Sequence, residues 1–504
     1  MTPLEQLRWW ARRAPIAQRV TASTGAVALL GLLTWTLFPA GSPAGDPLAT
    51  SSIGGPQAAV AETPATGDTL PAAVAPGAAA GGAGSAAAGT GAAATGKGGC
   101  VAPPGNDQGL TATEMSVAFV VVNLSGAMVN SLTNTPTPAD QRANIDAILE
   151  AMNAKGGVAC RKVVARYYEA NPIDSTSLQQ VCLKIAQDRP FFAIDNGAFF
   201  LYPQLTACFA DRQIPIHTPG LLPQNIQRAK YPYIFGGGLM EVVHRNMVLA
   251  LGERGWFGAG NGFQKLGLLY RSCNSALPGA LFSWVAQAGV PSGSIVKHDV
   301  GCPAATAPPS DVQQAVLDFK TSGVTHVVMV EDDIDFANFS TLAERQGFRP
   351  KYALPAPMIG QTYATQHPDY ANIADAIVIS QFRYGEERTP GMAPSNAATG
   401  ECDAALKAKG REPTWTTQSG IAGNDCVALA MLKAAAEHAP VLARNALAAG
   451  LQATGSLDLS YPGGPADFRA PYTTYAGQTW RPVKFVPSCN CWRVIDPNFR
   501  PSFR

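Results

Sequence analysis

The chain has 504 residues, with 37 Lys and Arg against 36 Asp and Glu, for a formal net charge of +1. So even a balance leaves no basic footprint for nucleic acid or for an anionic membrane surface. Charged residues make up only 14% of the chain, and a single apolar run approaches membrane length. With no strict glycine period and no heptads, collagen, coiled coil and polytopic membrane protein are excluded.

Arg8, Arg12, Arg13 and Arg19 precede the uncharged run ASTGAVALLGLLTWTLF at 22–38. It reads either as a cleaved signal peptide or as one membrane anchor with the arginines inside. Both readings send residue 41 onward out of the cytoplasm, so 1–40 is a stub with an anchor or signal. Residues 41–99 are almost wholly Ala, Gly, Pro, Thr and Ser. Such a tract buries too little apolar surface to offset its ordering entropy. We expect a disordered linker over 41–110, of which 41–99 would span roughly 45 Å as a flexible coil. The segment GAAATGK inside it resembles a P-loop, but Gly98 stands where Ser or Thr is needed and no strand precedes it.

From residue 115 the pattern changes to α/β alternation. MSVAFVVVNL is a strand, NIDAILEAMNAK a helix, and GGVACRKVVARYYE a second strand. SLQQVCLKIAQD is a helix, FFAIDNG a strand, YPQLTACFADR a helix and IPIHTPG a strand. The alternation restarts with helix MEVVHRNMVLALGERG, then KLGLLYRS, ALFSWVAQAG, SIVKHDVG, DVQQAVLDFKTSG, HVVMVEDD, FANFSTLAERQG and KYALPAPMIG. A third block holds strand ADAIVISQF, helices CVALAMLKAAAEHA and VLARNALAAGLQ, and two extended pieces in TWRPVKFVPSCNCWRVID. Short loops between alternating strands and helices predict parallel sheets flanked by helices, arranged as two doubly wound lobes.

Ten cysteines in a chain with an export signal predict disulfides. No CxxC and no Cys/His cluster is present, so no metal site is expected, and no cofactor. Proximity along the chain favours Cys273 with Cys302 and Cys402 with Cys426. Cys489 and Cys491 are expected to enter separate structural disulfides.

Residues 325–352, THVVMVEDDIDFANFSTLAERQGFRPKY, resemble the second-lobe signature of type I solute-binding proteins of the branched-chain amino-acid (Leu/Ile/Val) family that serves ABC importers. NAKGGVACRKVVARYYEAN at 153–171 resembles that family's Gly-Gly segment, with Ala159-Cys160 replacing the usual Gly before the basic residue. The resemblance implies a clamshell of two Rossmann-like lobes joined by three crossovers. We place the crossovers near Gly220–Phe235, Leu354–Ile359 and Val483–Cys491. Lobe 1 would comprise 111–230 and 356–484, and lobe 2 231–355, with 485–504 an extension near the hinge.

In open α/β sheets ligands sit beyond the carboxyl ends of the strands. The candidates there are Asp195, Asn196, Gly197, Ala198, Phe199, His217, Thr218, Arg271, Ser272, Glu331, Asp332, Gln361 and Tyr363. Gly197 either lets a solute anion approach helix N–H groups or belongs to an ordinary Asp/Asn/Gly turn. Phe199 either stacks on a solute or packs in the core. His217 and Thr218 offer hydrogen bonds, or cap a turn before Pro219. Arg271 would pair with a solute carboxylate or lie at the surface beside Cys273. Glu331 or Asp332 would hold a solute ammonium, as the resemblance implies, or complement a helix dipole. The family's amino-acid binders usually supply a Ser or Thr hydroxyl where this chain has Gly197, Ala198 and Phe199. No G-x-S-x-G elbow and no HExxH is present, so catalysis is not expected.

The expected function is an extracytoplasmic, monomeric solute-binding protein. It would take a small solute (an amino acid, or a related small carboxylate or amide) and hand it to an ABC importer permease. The membrane would be reached only through the N-terminal segment. A ligand-sensing ectodomain of a receptor system, or a non-transport binding protein of the cell surface, is the alternative.

Overall fold

In a computed structural model the chain is described over residues 103–124, 135–199, 202–272, 276–301, 309–330, 333–355, 372–393, 396–414 and 420–503. The first run of elements is β1 (Glu114–Val122), α1 (Pro138–Ala154), β2 (Lys162–Ala170), α2 (Ser175–Asp188), β3 (Phe192–Asp195), α3 (Ala207–Ala210), β4 (Ile216–Leu222), α4 (Gln224–Ala229) and β5 (Ile234–Leu239). β1 is apolar along both faces and buried along nearly its whole length. That pattern suits the middle of a parallel sheet covered on both sides. The sheet runs β2-β1-β3-β4-β5, all parallel. α1 starts before the periodic segment because Thr137 caps it. Its hydroxyl oxygen accepts the Asp140 N–H at 3.1 Å, and Pro138 fills the first helical position.

The second run is α5 (Met240–Glu253), β6 (Leu266–Tyr270), α6 (Ala276–Gln287), β7 (Ile295–Asp299), α7 (Pro309–Thr321), β8 (His326–Met329), α8 (Asp333–Arg345), β9 (Lys351–Pro355) and β10 (Ile377–Ser380). The third is α9 (Ala397–Lys407), α10 (Gly420–His438), α11 (Leu447–Thr454), β11 (Ser456–Asp458), β12 (Pro465–Asp467), β13 (Thr479–Val486), β14 (Cys491–Val494) and β15 (Arg500–Pro501). β7-β6-β8-β9-β10 repeat the permutation of the first sheet, and β13 and β14 extend it antiparallel. Each sheet is doubly wound. One face of the first meets α1, α9, α10 and α11 through Phe119, Ile145, Ile194, Leu406, Leu429 and Leu447. Its other face meets α2 and α3 through Val120, Leu178, Phe209 and Ile216. The second sheet packs Val312, Phe319 and Phe339 on one side, and Met247, Leu251 and Leu281 on the other.

Several boundaries differ from the sequence reading. Residues 103–110 are packed onto the body and are not linker. The Leu442 N–H donates to the Pro104 carbonyl, and Arg444 pairs with Asp107. β5 still lies in the first sheet, so the first crossover follows Leu239, beyond Gly220–Phe235. β10 pairs parallel with β9, which moves the second crossover past Leu354–Ile359 to the end of β10. β13 already belongs to the second sheet at Thr479, so the third crossover precedes Val483–Cys491. The expected helix at YPQLTACFADR is a 3-10 turn, Pro203–Thr206, followed by the single turn of α3. β2 begins only at Lys162, because Ala159 and Cys160, at φ of 48° and 64°, form a tight turn.

Cys402 is bonded to Cys426, tying α9 to α10, and Cys182 is bonded to Cys208, a pair that spacing did not single out. Cys489 and Cys491 are bonded to each other, not in separate bridges, across Asn490 at φ 50°. Cys160 is also disulfide-bonded, and no described cysteine is free. Cys273 and Cys302 lie outside the described residues.

The end of β5, the end of β10 and the third crossover meet at Gln381. A Cβ on Gly238 would sit 2.5 Å from its amide nitrogen, and one on Gly477 would sit 3.1 Å from its amide oxygen. The third crossover also hydrogen-bonds β5: Ala476 N–H donates to the Gly236 carbonyl at 2.9 Å. Beside them Arg383 and Arg481 share the buried Glu386, and Phe499 lies over the Arg481 guanidinium. No helix among the described residues is long and apolar enough to cross a membrane. The apolar run at 22–38 lies outside them.

Candidate functional site

A 2-1-3-4-5 sheet has its topological switch point between strands 1 and 3, where the flanking loops diverge and leave a crevice. In the first lobe that point lies between the ends of β1 and β3. The end of β1 is fixed by Gln141 of α1. Its side-chain amide accepts the Val122 N–H at 2.9 Å and donates to the Val122 carbonyl at 2.8 Å. At the end of β3, Asp195 turns its carboxylate back onto the following loop. Its Oδ1 accepts the N–H groups of Gly197 at 3.0 Å, Ala198 at 2.6 Å and Phe199 at 3.3 Å. Its Oδ2 accepts the Thr218 hydroxyl at 3.0 Å.

Those contacts bear on two of the open readings. The loop N–H groups that Gly197 was expected to offer a solute anion are donated to Asp195. Gly197 itself adopts φ 98°, a conformation that side chains rarely take. Phe199 is fully buried and packs edge-on against Phe209 at 5.5 Å, so it is a core residue. Ala198 is buried beside it.

Asn196, 1% exposed, points to the opposite face of the sheet. There its amide donates to Oδ2 of Asp425 on α10 at 3.4 Å. Asp425 was not singled out by the sequence. The available signal was an acid inside the otherwise apolar run NDCVALAM, where a charge is costly unless something answers it. Asn196 Oδ1 and Asp425 Oδ1 have no hydrogen-bond partner, and neither does either ring nitrogen of His217. Burial pushes Asp195 up to about 6, against its four hydrogen bonds, and pushes Asp425 well above the usual carboxylate range. The negative charge of Asp195 raises Asp425 further. Burial holds His217 down at about 3, so the imidazole is neutral at pH 7.

At the second switch point, between β6 and β8, Arg271 is paired within its own lobe. Its Nε and Nη2 donate to Oδ2 of Asp335 on α8 at 3.2 and 2.5 Å, and the pair is almost fully buried. Ser272 is exposed, and its N–H donates to Asp299 at 3.1 Å. Glu331, Asp332, Gln361 and Tyr363 lie outside the described residues. Among the described residues no group of three or more His, Cys, Asp or Glu is placed to hold a metal.

No protein-family model matches the chain, and no curated protein matches it. Solved structures do. An ABC transporter substrate-binding protein from Desulfitobacterium hafniense, in complex with Leu, shares 15% identity at TM-score 0.51, over 77% of this chain and 99% of that one. A branched-chain amino acid transporter substrate-binding protein from Streptococcus pneumoniae, in complex with isoleucine, shares 14% at TM-score 0.54, over 76% and 99%. A fatty acid ABC transporter substrate-binding protein from Thermomonospora curvata shares 13% at TM-score 0.54, over 81% and 97%. With two sheets whose five parallel strands share one order, and helices of the third block returning to the first, the chain has the type I periplasmic binding protein fold.

Proposed function

We propose that the chain is an extracytoplasmic solute-binding protein that captures a small organic solute between its lobes and delivers it to an ABC importer. One observation carries the reading. Two lobes whose five parallel strands share one order are joined by three crossovers, and Gln381 at the start of the second is met by Gly238 of β5 and Gly477 of the third. Such a junction lets the lobes rotate as rigid bodies about a short axis. A solute touching both lobes then shifts the population toward closure. The disulfides Cys182–Cys208, Cys402–Cys426 and Cys489–Cys491 suit an oxidising space outside the cytoplasm. The solved neighbours are named for leucine, isoleucine and fatty acid, so this fold holds more than one solute class.

Thermal-shift screening of the full chain against a library of small amines, amides, carboxylates and neutral solutes tests the proposal. A solute at 100 times its dissociation constant should add about 2.7 kcal/mol of stability. Failure of every class to raise the melting temperature, together with measurable hydrolytic turnover, would overturn it.

A further inference from the structure

The first-lobe crevice has already used its anion donors. Three successive N–H groups and the Thr218 hydroxyl converge on Asp195, a carboxylate supplied by the chain itself. A solute carboxylate arriving there would find these donors engaged and a buried acid in their place. Apart from the neutral imidazole of His217, which carries one N–H and one acceptor nitrogen, the groups left without partners on the other side of the same strand end are of the opposite kind. They are Asn196 Oδ1 and Asp425 Oδ1, each on a residue only 1% exposed. Among the described residues, no basic side chain hydrogen-bonds or ion-pairs with Asp195 or Asp425. Arg271, across in the second lobe, is matched by Asp335. Gly197, next to Asn196 in the sequence, is only half-buried, and a Cβ placed on it would meet no heavy atom within 4 Å. An unpaired acceptor in a dry site costs stability until a donor reaches it, and a carboxyl gains most from a donor that carries positive charge.

We propose that the first-lobe half of the cleft receives the cationic, hydrogen-bond-donating end of a solute, an amine or a guanidine, and does not hold a carboxylate. The inference rests on the solute-binding reading and adds its chemical class. Asn196 Oδ1 and Asp425 Oδ1 accept from the solute, while Asp195 is a positioning residue that holds the loop. The neutral imidazole of His217 adds no competing charge.

Matched probes test this on the full chain. Isoamylamine, leucine and 4-methylpentanoate share a branched carbon skeleton and carry an amine, both groups, or a carboxylate alone. Agmatine and arginine extend the series to guanidines. Amines or guanidines are expected to raise the melting temperature, and 4-methylpentanoate is not. Asp425→Asn keeps the shape and removes the acid. It should weaken binding of the active amine at least about tenfold by calorimetry, the equivalent of 1.4 kcal/mol. Should that variant fail to fold, Asn196→Ala is expected to give a loss of the same order. In Asp195→Gly the three N–H groups are freed, and 4-methylpentanoate binding should appear where the wild type has none. A shift with 4-methylpentanoate as large as with isoamylamine overturns the proposal, as does amine affinity unchanged in the Asp425 and Asn196 variants. Silence from every amine and guanidine overturns the donor class alone if some other solute raises the melting temperature. Silence from all solutes overturns solute capture as well.

Discussion

His217 is a buried imidazole with neither nitrogen paired. Its folded pKa of about 3 lies below the ordinary 6.5 because burial disfavours the charged ring. Below pH 6.5 the unfolded chain takes up a proton that the native chain refuses. The native state therefore loses about 1.4 kcal/mol for each pH unit until about pH 3. Asp195 works the other way. Its folded value, about 6, lies above 3.8, so a fall in pH from 6 to 3.8 favours the native state. Replacing the ring by a side chain of similar volume removes only the first effect. We expect His217→Leu to be as stable as the wild type or more so at pH 7.5. Its stability should fall less steeply below pH 6.5, by about 1.4 kcal/mol per unit. Urea unfolding at pH 7.5, 6 and 5 without solute measures this, and parallel pH profiles for the two proteins would show that the ring titrates normally.

At the scale of elements, the disulfides divide by what they join. Cys182–Cys208 and Cys402–Cys426 close loops with separations of 26 and 24 residues, whereas Cys489–Cys491 has a separation of 2. By loop-closure entropy the first two each contribute about 3.5 kcal/mol and the last about 1.6. Replacing both Cys402 and Cys426 by Ser should therefore lower the unfolding free energy at least twice as much as the same change at Cys489 and Cys491. Guanidinium unfolding decides it, and equal losses would contradict the entropic ranking. Alternation of strand and helix was legible because each segment carries its own period. Which sheet a strand joins was not. IVIS in β10 is buried on both faces and would suit either lobe. The resemblance placed a crossover upstream, near Leu354–Ile359, yet β10 adds to β9. The site followed the same division. Strand ends placed Asp195 and Arg271 at the two switch points, whereas His217 lies inside β4, which runs on to Leu222; the partners Asp425, of Asn196, and Asp335, of Arg271, are set by which helix packs above. Asp425 comes from a helix more than two hundred residues downstream, and spacing carries no trace of that contact.

For the whole molecule, the decisive feature is the junction. Gln381 is 2% exposed, yet neither atom of its side-chain amide has a hydrogen-bond partner. Gly238 at the end of β5 and Gly477 in the third crossover press against that amide. A buried amide without partners costs about 1–3 kcal/mol in the arrangement that buries it. That cost is relieved in any arrangement where the crossovers separate and water reaches the group. The residue therefore works against locking the lobes in the arrangement seen here. Gln381→Leu keeps nearly the same volume and removes the need for partners. It should stabilise this arrangement and raise the melting temperature of the solute-free chain. By small-angle scattering, a solute that changes the radius of gyration of the wild type should change that of Gln381→Leu less. Equal changes in the two proteins, with equal melting temperatures, would mean that the amide does not influence the hinge.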